Sequence, residues 1–364
     1  MTFATQPPVA STLSLADDDH EQVVIRQDPG SGLRMIVAVH STVLGPSLGG
    51  MRLKRYPGGL REALDDVMGL ARTMTLKASA AGLDLGGGKS VILDDGPADM
   101  RERRLEAAAG VIEGLGGAYI TAEDMGTTTA DMDFMSKHTR YVVGRSREGG
   151  GGGDPSPITA ETVFQATRRG LAAAAGSPEL DGRRVGVIGL GKVGSVLAGR
   201  LAGEGARVVA CDLDHERAER FAAEHGGEVA PSAEAILAME LDVLAPCAAG
   251  GLIDGALARS IDCRVLVGGA NNPLTGREVA RTLAQRGILY VPDFLANCGG
   301  LIHVSTEWYG QSGPRVGECI GRAMERLDEA IAGAERDGLT PIEVAERQAL
   351  ERVERARSHS PAGA

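Results

Sequence analysis

The sequence predicts a two-domain α/β protein whose second half is a doubly wound parallel sheet. Three observations carry that prediction. Short apolar strands alternate with helical segments from "RRVGVIGLGKVGSVLAGRLAGEGARVVACDLD" onward, and such alternation implies parallel strands joined by crossover helices. A glycine-spaced turn, Gly189-Leu190-Gly191-Lys192-Val193-Gly194, stands where the first of those strands gives way to a helix. Five consecutive glycines, Gly149–Gly153, mark a change of character upstream. A chain of 364 residues has room for two such units, at roughly 100–200 residues per domain.

Taken in order, residues 1–19 have neither a basic start nor a sustained apolar core, so they read as a disordered or loosely docked tail rather than a signal peptide. "EQVVIRQD" and "LRMIVAVHST" are β-rich, and "LGPSLGGMR" reads as a turn-rich loop. A helix is expected from about Leu60, because Leu60, Leu64, Val67, Ala71 and Met74 recur at three- and four-residue spacing. Lys77 falls at the edge of that apolar face. The run "LDLGGGKSVI" leads into a strand, "SVIL", and "GAYITAEDMGTT" is a strand ending in a loop with two adjacent acids. Beyond the dinucleotide-like segment, further strands are expected at "LDVLAPCA", "CRVLVGGANN" and "GILYVPDF". The C-terminal end is helical, with Thr340-Pro341-Ile342-Glu343 forming a capping-box start.

Composition narrows the function. A hydrophobic fraction of 43% is ample for large cores, while 3% aromatics argues against base-stacking or sugar-binding surfaces. A formal net charge of −11 disfavours nucleic acid and anionic membranes as partners. No apolar run approaches the ~20 residues of a membrane helix. The five cysteines, Cys211, Cys247, Cys263, Cys298 and Cys319, are odd in number and lack a C-x-x-C. They read as reduced cytoplasmic thiols. The seven histidines show no ligand spacing, so no metal is expected.

"GGGKS" resembles the tail of a phosphate loop, but the pattern needs a glycine where Leu83 stands. The better phosphate cradle is Gly189–Gly194. It has a strand before it, a helix after it, and Asp212 closing the next strand at about the expected 20-residue distance. Gly189 permits the tight turn, Gly191 backbone approach to a pyrophosphate, and Gly194 close helix–strand packing. Asp212 would accept from a ribose, and Asp214 would repel a 2′-phosphate. That favours NAD over NADP, with Arg217 the one nearby cation to weaken the preference. The second unit is therefore expected to be Rossmann-type.

Lys77, Lys89 and Asp124 each have a bland surface reading when taken alone. Lys77 borders an apolar helix face, Lys89 directly precedes an apolar strand and Asp124 closes another, the last two where strands meet loops, at the usual edge of a cleft. The glycines at 86–88 suggest room for a small ligand against Lys89, and a desolvated lysine near a second cation is a competent general base.

The segments "GPSLGGMR", "MTLKASAAGLDLGGGKSVI", "YITAEDMGTTTADMD", "GDPSPITA", "GLGKVG", "APCAAGG", "GGANNPL" and "YVPDFLANCGGLIHV" occur in one order across the chain. In them it resembles the amino-acid dehydrogenases that act on leucine, valine and phenylalanine, and more distantly glutamate dehydrogenase. The resemblance implies reversible NAD-dependent oxidative deamination of an L-amino acid to a 2-oxo acid and ammonia. It gives Lys77 the substrate carboxylate, Lys89 the role of base for the hydrolytic water, and Asp124 proton exchange with the substrate nitrogen. Gly49 and Gly50 would touch substrate through their backbone, and Asn272 would hold its polar end. Thr159 and Asn297 would lie beside the nicotinamide. Lys192, Val193, Ala245, Cys247 and Asn271 would complete the cofactor site. Leu48, Ala122, Leu301 and Val304 would line the side-chain pocket. Leu301 stands where family members have valine or alanine, which favours branched-chain substrates over phenylalanine, and Met51 stands where they usually carry threonine.

The resemblance also implies a homo-oligomer and a discontinuous substrate domain, residues 1–148 plus about 335–364. Residues 149–334 would form the NAD-binding domain, with a cleft between the two and the glycine run at their connection. A non-catalytic NAD-binding regulatory protein would need no base, so the set Lys77, Lys89 and Asp124 argues against that alternative.

Overall fold

A computed structural model describes residues 19–96, 98–311 and 313–359; the tail reading for residues 1–18 lies outside them. The first unit runs β1 (Gln22–Asp28), β2 (Leu33–Ser41), β3 (Ser47–Lys54), α1 (Gly59–Ala80), β4 (Gly86–Leu93), α2 (Arg101–Gly114), β5 (Tyr119–Glu123) and α3 (Thr129–Met135). Its sheet has the order β1-β2-β4-β3-β5. The β1–β2 and β2–β4 pairs are antiparallel, and β3 runs parallel to both β4 and β5. Period-two alternation splits β2 between two cores. Met35, Val37 and Val39 face α2 and α3, while Ile36 and Ala38 face α1. The predicted stripe on α1 supplies Leu64, Val67 and Ala71 to the latter core.

Two expectations need correction here. Ser47–Lys54 is a buried strand rather than a loop, because pairing on both edges overrides the low strand propensity of Gly49 and Gly50. Lys89 does not precede a strand but lies inside one, since β4 begins at Gly86 and is buried over its whole length. The space beside Gly86–Gly88 is filled by protein rather than kept for ligand. A Cβ at Gly86 would collide with the Ser41 carbonyl, one at Gly87 with the backbone of Thr75, and one at Gly88 would stand 2.7 Å from the Tyr119 ring.

The second unit runs α4 (Ser156–Ala175), β6 (Arg184–Ile188), α5 (Lys192–Gly203), β7 (Arg207–Cys211), α6 (His215–His225), β8 (Glu228–Val229), α7 (Ala233–Leu237) and β9 (Glu240–Pro246). It continues through α8 (Gly255–Ser260), β10 (Asp262–Leu266), α9 (Arg277–Gln285), β11 (Leu289–Tyr290), α10 (Asp293–Ala296) and α11 (Gly299–Trp308). The sheet is all parallel, in the order β11-β10-β9-β6-β7-β8. Its strand order reverses between β6 and β9, which places a ligand crevice at their carboxyl ends.

Two long helices close the chain, α12 (Gly313–Asp337) and α13 (Pro341–His359). At the expected capping box the Thr340 N–H and Oγ1 donate to Glu343 Oε2 at 2.8 and 2.7 Å. Helix α13 lies on α1 of the first unit, where Ser79 Oγ donates to the Ala349 carbonyl at 2.7 Å and Arg352 donates to the Leu83 carbonyl at 2.7 Å. The glycine run is no free tether. The Glu307 carboxylate, 4% exposed, accepts from Gly144 N, Gly152 N and Arg145 Nε at 3.0, 3.1 and 3.0 Å.

Because β4 lies flush against α1, Gly87→Ala should cost about 3 kcal/mol or more, as overpacked cores do, and lower the thermal midpoint accordingly. Gly69→Ala, on the exposed side of the same helix with open space at its Cβ, should leave the midpoint unchanged or raise it, as about 0.5–1 kcal/mol of helix propensity returns.

Candidate active site

Three elements of the first sheet converge on one carboxylate. Lys89 leaves β4 toward Asp124, just past the end of β5, and its Nζ lies 2.6 Å from Asp124 Oδ2. Arg52 of β3 reaches the same oxygen, its Nε at 3.2 Å. Gly50 makes this possible, since a Cβ there would stand 2.7 Å from the Asp124 Cβ. The missing side chain of Gly49 instead admits the Gly88 carbonyl, while its own carbonyl accepts from Tyr119 Oη at 2.7 Å.

Lys77, near the end of α1, crosses to the second unit. Its Nζ donates to Asn297 Oδ1 at 2.6 Å and approaches Asn271 Oδ1 at 3.5 Å. Asn297, only 3% exposed, is fixed by donating its amide to Asn271 Oδ1 at 3.0 Å and to the Gly269 and Ala270 carbonyls at 3.3 Å each. Burial lowers both lysine ammonium groups from their usual value. Burial alone would raise the Asp124 carboxyl, but Lys89 and then Arg52 outweigh it and hold it low. The site thus pairs a carboxylate held low with an ammonium that burial lowers.

An aliphatic cluster adjoins these groups. Leu48 and Ala122 from the first sheet pack into one core with Leu301 and Val304 of α11, and all four are buried. Gly144 lies between the Ala122 and Val304 side chains. Met51 is outside this pocket: it is fully buried in the core beneath α2 and α3.

On the second sheet, Gly189 has a φ of 98° and Gly194 packs on the Gly189 carbonyl, as a tight strand-to-helix turn requires. A Cβ at Gly191 would meet no protein atom within 4 Å. That open face at the N-terminus of α5 fits a pyrophosphate approaching the backbone. Asp212 Oδ2 accepts from Leu190 N at 2.6 Å, so the acid fixes the glycine turn as well as offering acceptors at its rim. Arg217 Nε is held by Asp214 at 3.1 Å, and Arg220 lines the same recess.

The other expected residues take the following places. Asn271, assigned to the cofactor, is the asparagine beside Lys77. Asn272, assigned to the substrate, has a left-handed φ of 48° and gives its N–H to Asp293 Oδ2 at 2.8 Å. Ala245 is 1% exposed near the carboxyl end of β9, with its methyl in the core. Cys247 and Ala248 are the residues packed under the glycine turn. Val193 packs beside Gly269, Lys192 lines a recess with Asp124, and Thr159 Oγ1 donates to the Pro155 carbonyl at 3.1 Å beside the start of α11. Sequence reasoning missed Arg52, although it ends the quoted segment "LGGMR", and it missed Glu307, which carries no local signal.

A dinucleotide turn facing a lysine-lined cleft across two α/β units is the layout of a nicotinamide-dependent oxidoreductase. Comparison with known proteins agrees. Sequence models described as "Glu/Leu/Phe/Val dehydrogenase, dimerisation domain" and "Glutamate/Leucine/Phenylalanine/Valine dehydrogenase" match residues 20–141 and 212–360. One described as "D-isomer specific 2-hydroxyacid dehydrogenase, NAD binding domain" matches residues 160–246. The chain is 40% identical over 339 residues to a leucine dehydrogenase of Thermoactinomyces intermedius, covering 93% of this chain and 92% of that one. It is 43% identical over 343 residues to a valine dehydrogenase of Streptomyces virginiae, covering 93% and 95%. The solved L-tryptophan dehydrogenase of Nostoc punctiforme superposes with a TM-score of 0.83 at 31% identity, over 94% of this chain and 98% of that one. The chain belongs to the glutamate/leucine/phenylalanine/valine dehydrogenase family and is an amino-acid dehydrogenase.

Gly191→Ala should leave the thermal midpoint within about 2 °C while weakening dinucleotide binding at least about tenfold, since its methyl would point where the pyrophosphate approaches the backbone. Gly194→Ala should lose both, because its methyl has only the Gly189 carbonyl to enter. Fluorescence titration with the reduced cofactor, alongside melting curves, separates the two outcomes.

Proposed function

We propose that this protein catalyses reversible, NAD-dependent oxidative deamination of branched-chain aliphatic L-amino acids to 2-oxo acids and ammonia. The observation that carries the proposal is the convergence of buried Lys89, half-buried Lys77 and the Asp124 carboxylate near an aliphatic cluster. Lys77 binds the substrate carboxylate, its remaining ammonium hydrogens kept in place by Asn271 and Asn297. Asp124 takes a proton from the substrate ammonium, freeing the nitrogen lone pair. When bound, the nicotinamide ring supplies the hydride acceptor for the substrate Cα. Lys89 then removes a proton from the water that adds to the iminium carbon, and Asp124 returns its proton to the nitrogen; ammonia leaves as the new hydroxyl becomes the 2-oxo acid carbonyl and its proton passes to solvent. Closing the cleft over these groups excludes bulk water and strengthens each of these interactions.

NAD is favoured over NADP. Asp212 and Asp214 place two negative charges where a 2′-phosphate would sit, and the nearest cation, Arg217, is already paired with Asp214. Branched-chain substrates are favoured because Leu48, Ala122, Leu301 and Val304 offer only aliphatic surface, with Leu301 filling space an aromatic ring would need. We place the division of the chain at residues 1–148 plus 335–364 against 149–334, supported by the α1–α13 contact.

Absorbance of the reduced cofactor across a panel of L-amino acids tests the reading. Valine, leucine and isoleucine should exceed phenylalanine in kcat/KM by about tenfold or more, the scale on which apolar pockets discriminate. Absence of turnover with every aliphatic and aromatic amino acid would sink it. Lys89→Ala should lower kcat by about 10²–10⁴ with dinucleotide affinity unchanged, and Lys77→Ala should act chiefly on KM. A fall in dinucleotide affinity in Lys89→Ala would make that lysine a phosphate ligand instead.

A further inference from the structure

A lysine 2.6 Å from a carboxylate is ordinarily a poor base, because the ion pair stabilises its ammonium form. Burial opposes this, yet it leaves a single partner holding the proton in place. Arg52 supplies what the pair lacks. Its Nε meets the same Asp124 oxygen, Oδ2, at 3.2 Å, so one oxygen carries two cationic donors. The rest of the guanidinium cannot swing away, because Nη1 donates to Asp66 Oδ2 and Oδ1 at 3.0 and 3.3 Å. Asp66 is in turn held by Tyr56 Oη at 2.7 Å. Arg52 is largely buried, with its side chain 16% exposed, so little water screens its charge from Lys89.

We infer that Arg52 is a positioning residue that keeps Lys89 available as a base, by sharing the one Asp124 oxygen that Lys89 holds. The inference rests on the reading of Lys89 as the base. The guanidinium is permanently charged, so it draws on the carboxylate's field without ever competing for the proton. It disfavours the lysine's ammonium form by repulsion. The charged groups around Lys89 come from every element packed on it. Asp124 and Glu123 lie at the end of β5, Arg52 on β3, and Asp66 and Lys77 on α1. Lys192 lines the recess beside Asp124, and His40 on β2 is turned to Thr75, its Nδ1 at 2.8 Å from Oγ1. Arg52 and Lys77 repel a charge on Lys89, while Asp124 and Asp66 attract it.

The test is the pH profile of kcat for oxidative deamination, which rises as the base loses its proton. Arg52→Gln should move that acidic limb upward by about one pH unit, the effect of removing one nearby charge. Activity should then be about tenfold down below the limb and return to within about threefold of wild type above it. Arg52→Lys should keep the limb in place, because the charge remains. A uniform loss at every pH in Arg52→Gln, or an equal shift in Arg52→Lys, would overturn the inference in favour of a purely structural arginine. Should Arg52→Gln not fold, Asp66→Asn carries the test. It removes an anion from the cluster and should move the limb downward, and an upward or absent shift counts against the inference. Residual activity in Lys89→Ala separates the two levels: a limb that persists there refutes Lys89 as the base. A limb that vanishes there but does not move in Arg52→Gln refutes only the role of Arg52.

Discussion

The site depends on how closely β4 can be enclosed. Its first three residues are glycines with the Ser41 carbonyl, the Thr75 backbone and the Tyr119 ring pressed against them. Because no side chain intervenes, α1 settles directly onto the sheet and β3 and β5 draw in on the other side. Lys89, the first residue of the strand to carry a side chain, therefore emerges from the middle of a sheet rather than from a loop. The same descent of α1 sets the height at which Lys77 leaves the helix. A strand of ordinary residues would hold α1 farther off and separate the two lysines from the carboxylate they work with.

Placing ammonium groups at this depth is costly, since each loses several kcal/mol of hydration before any partner is counted. The fold answers the two lysines differently. Lys77 is given neutral acceptors, the Asn271 and Asn297 amides. Lys89 is given an anion, but one already engaged by Arg52 and steadied through Asp66 and Tyr56. Burial lowers the Lys77 ammonium beside its neutral amides, and it lowers Lys89 against an anion that favours the charged form while Arg52 opposes it.

Much of this was legible in the sequence, and what was not has physical causes. The dinucleotide turn was readable because each of its glycines answers a local steric demand within a single strand–turn–helix. The stripe on α1 and the capping box at Thr340 are likewise short-range. The glycines of "GGGKS" were visible but misread, since a missing side chain does not say whether ligand or protein fills the space. Strand β3 was hidden for the opposite reason: Gly49 and Gly50 argue locally for a loop, and only pairing with β4 and β5 makes them strand. Asn271 and Asn272 are adjacent and chemically identical. Which of them faces Lys77 is decided by the turn at Asn272, whose N–H is captured by Asp293, and no pattern in the chain encodes that. Arg52 meets Asp124 across a separation of more than seventy residues, so only the fold brings them together.

Helix α11 links the aliphatic cluster to the glycine run between the two units. Leu301 and Val304 project from it into the aliphatic pocket, while Glu307, one turn further on, gathers Gly144, Arg145 and Gly152 at the connection between the two units. His303 on the same helix meets the Gly153 carbonyl at 3.1 Å. A glycine run with no such anchor would let the units sample many relative positions, and the entropy of closing would be paid at each turnover. Glu307 removes much of that freedom by tying the Gly144 and Gly152 N–H groups and the Arg145 side chain to α11. One helix thus carries both Leu301 and Val304 of the aliphatic cluster and the two side chains, His303 and Glu307, that anchor the glycine run.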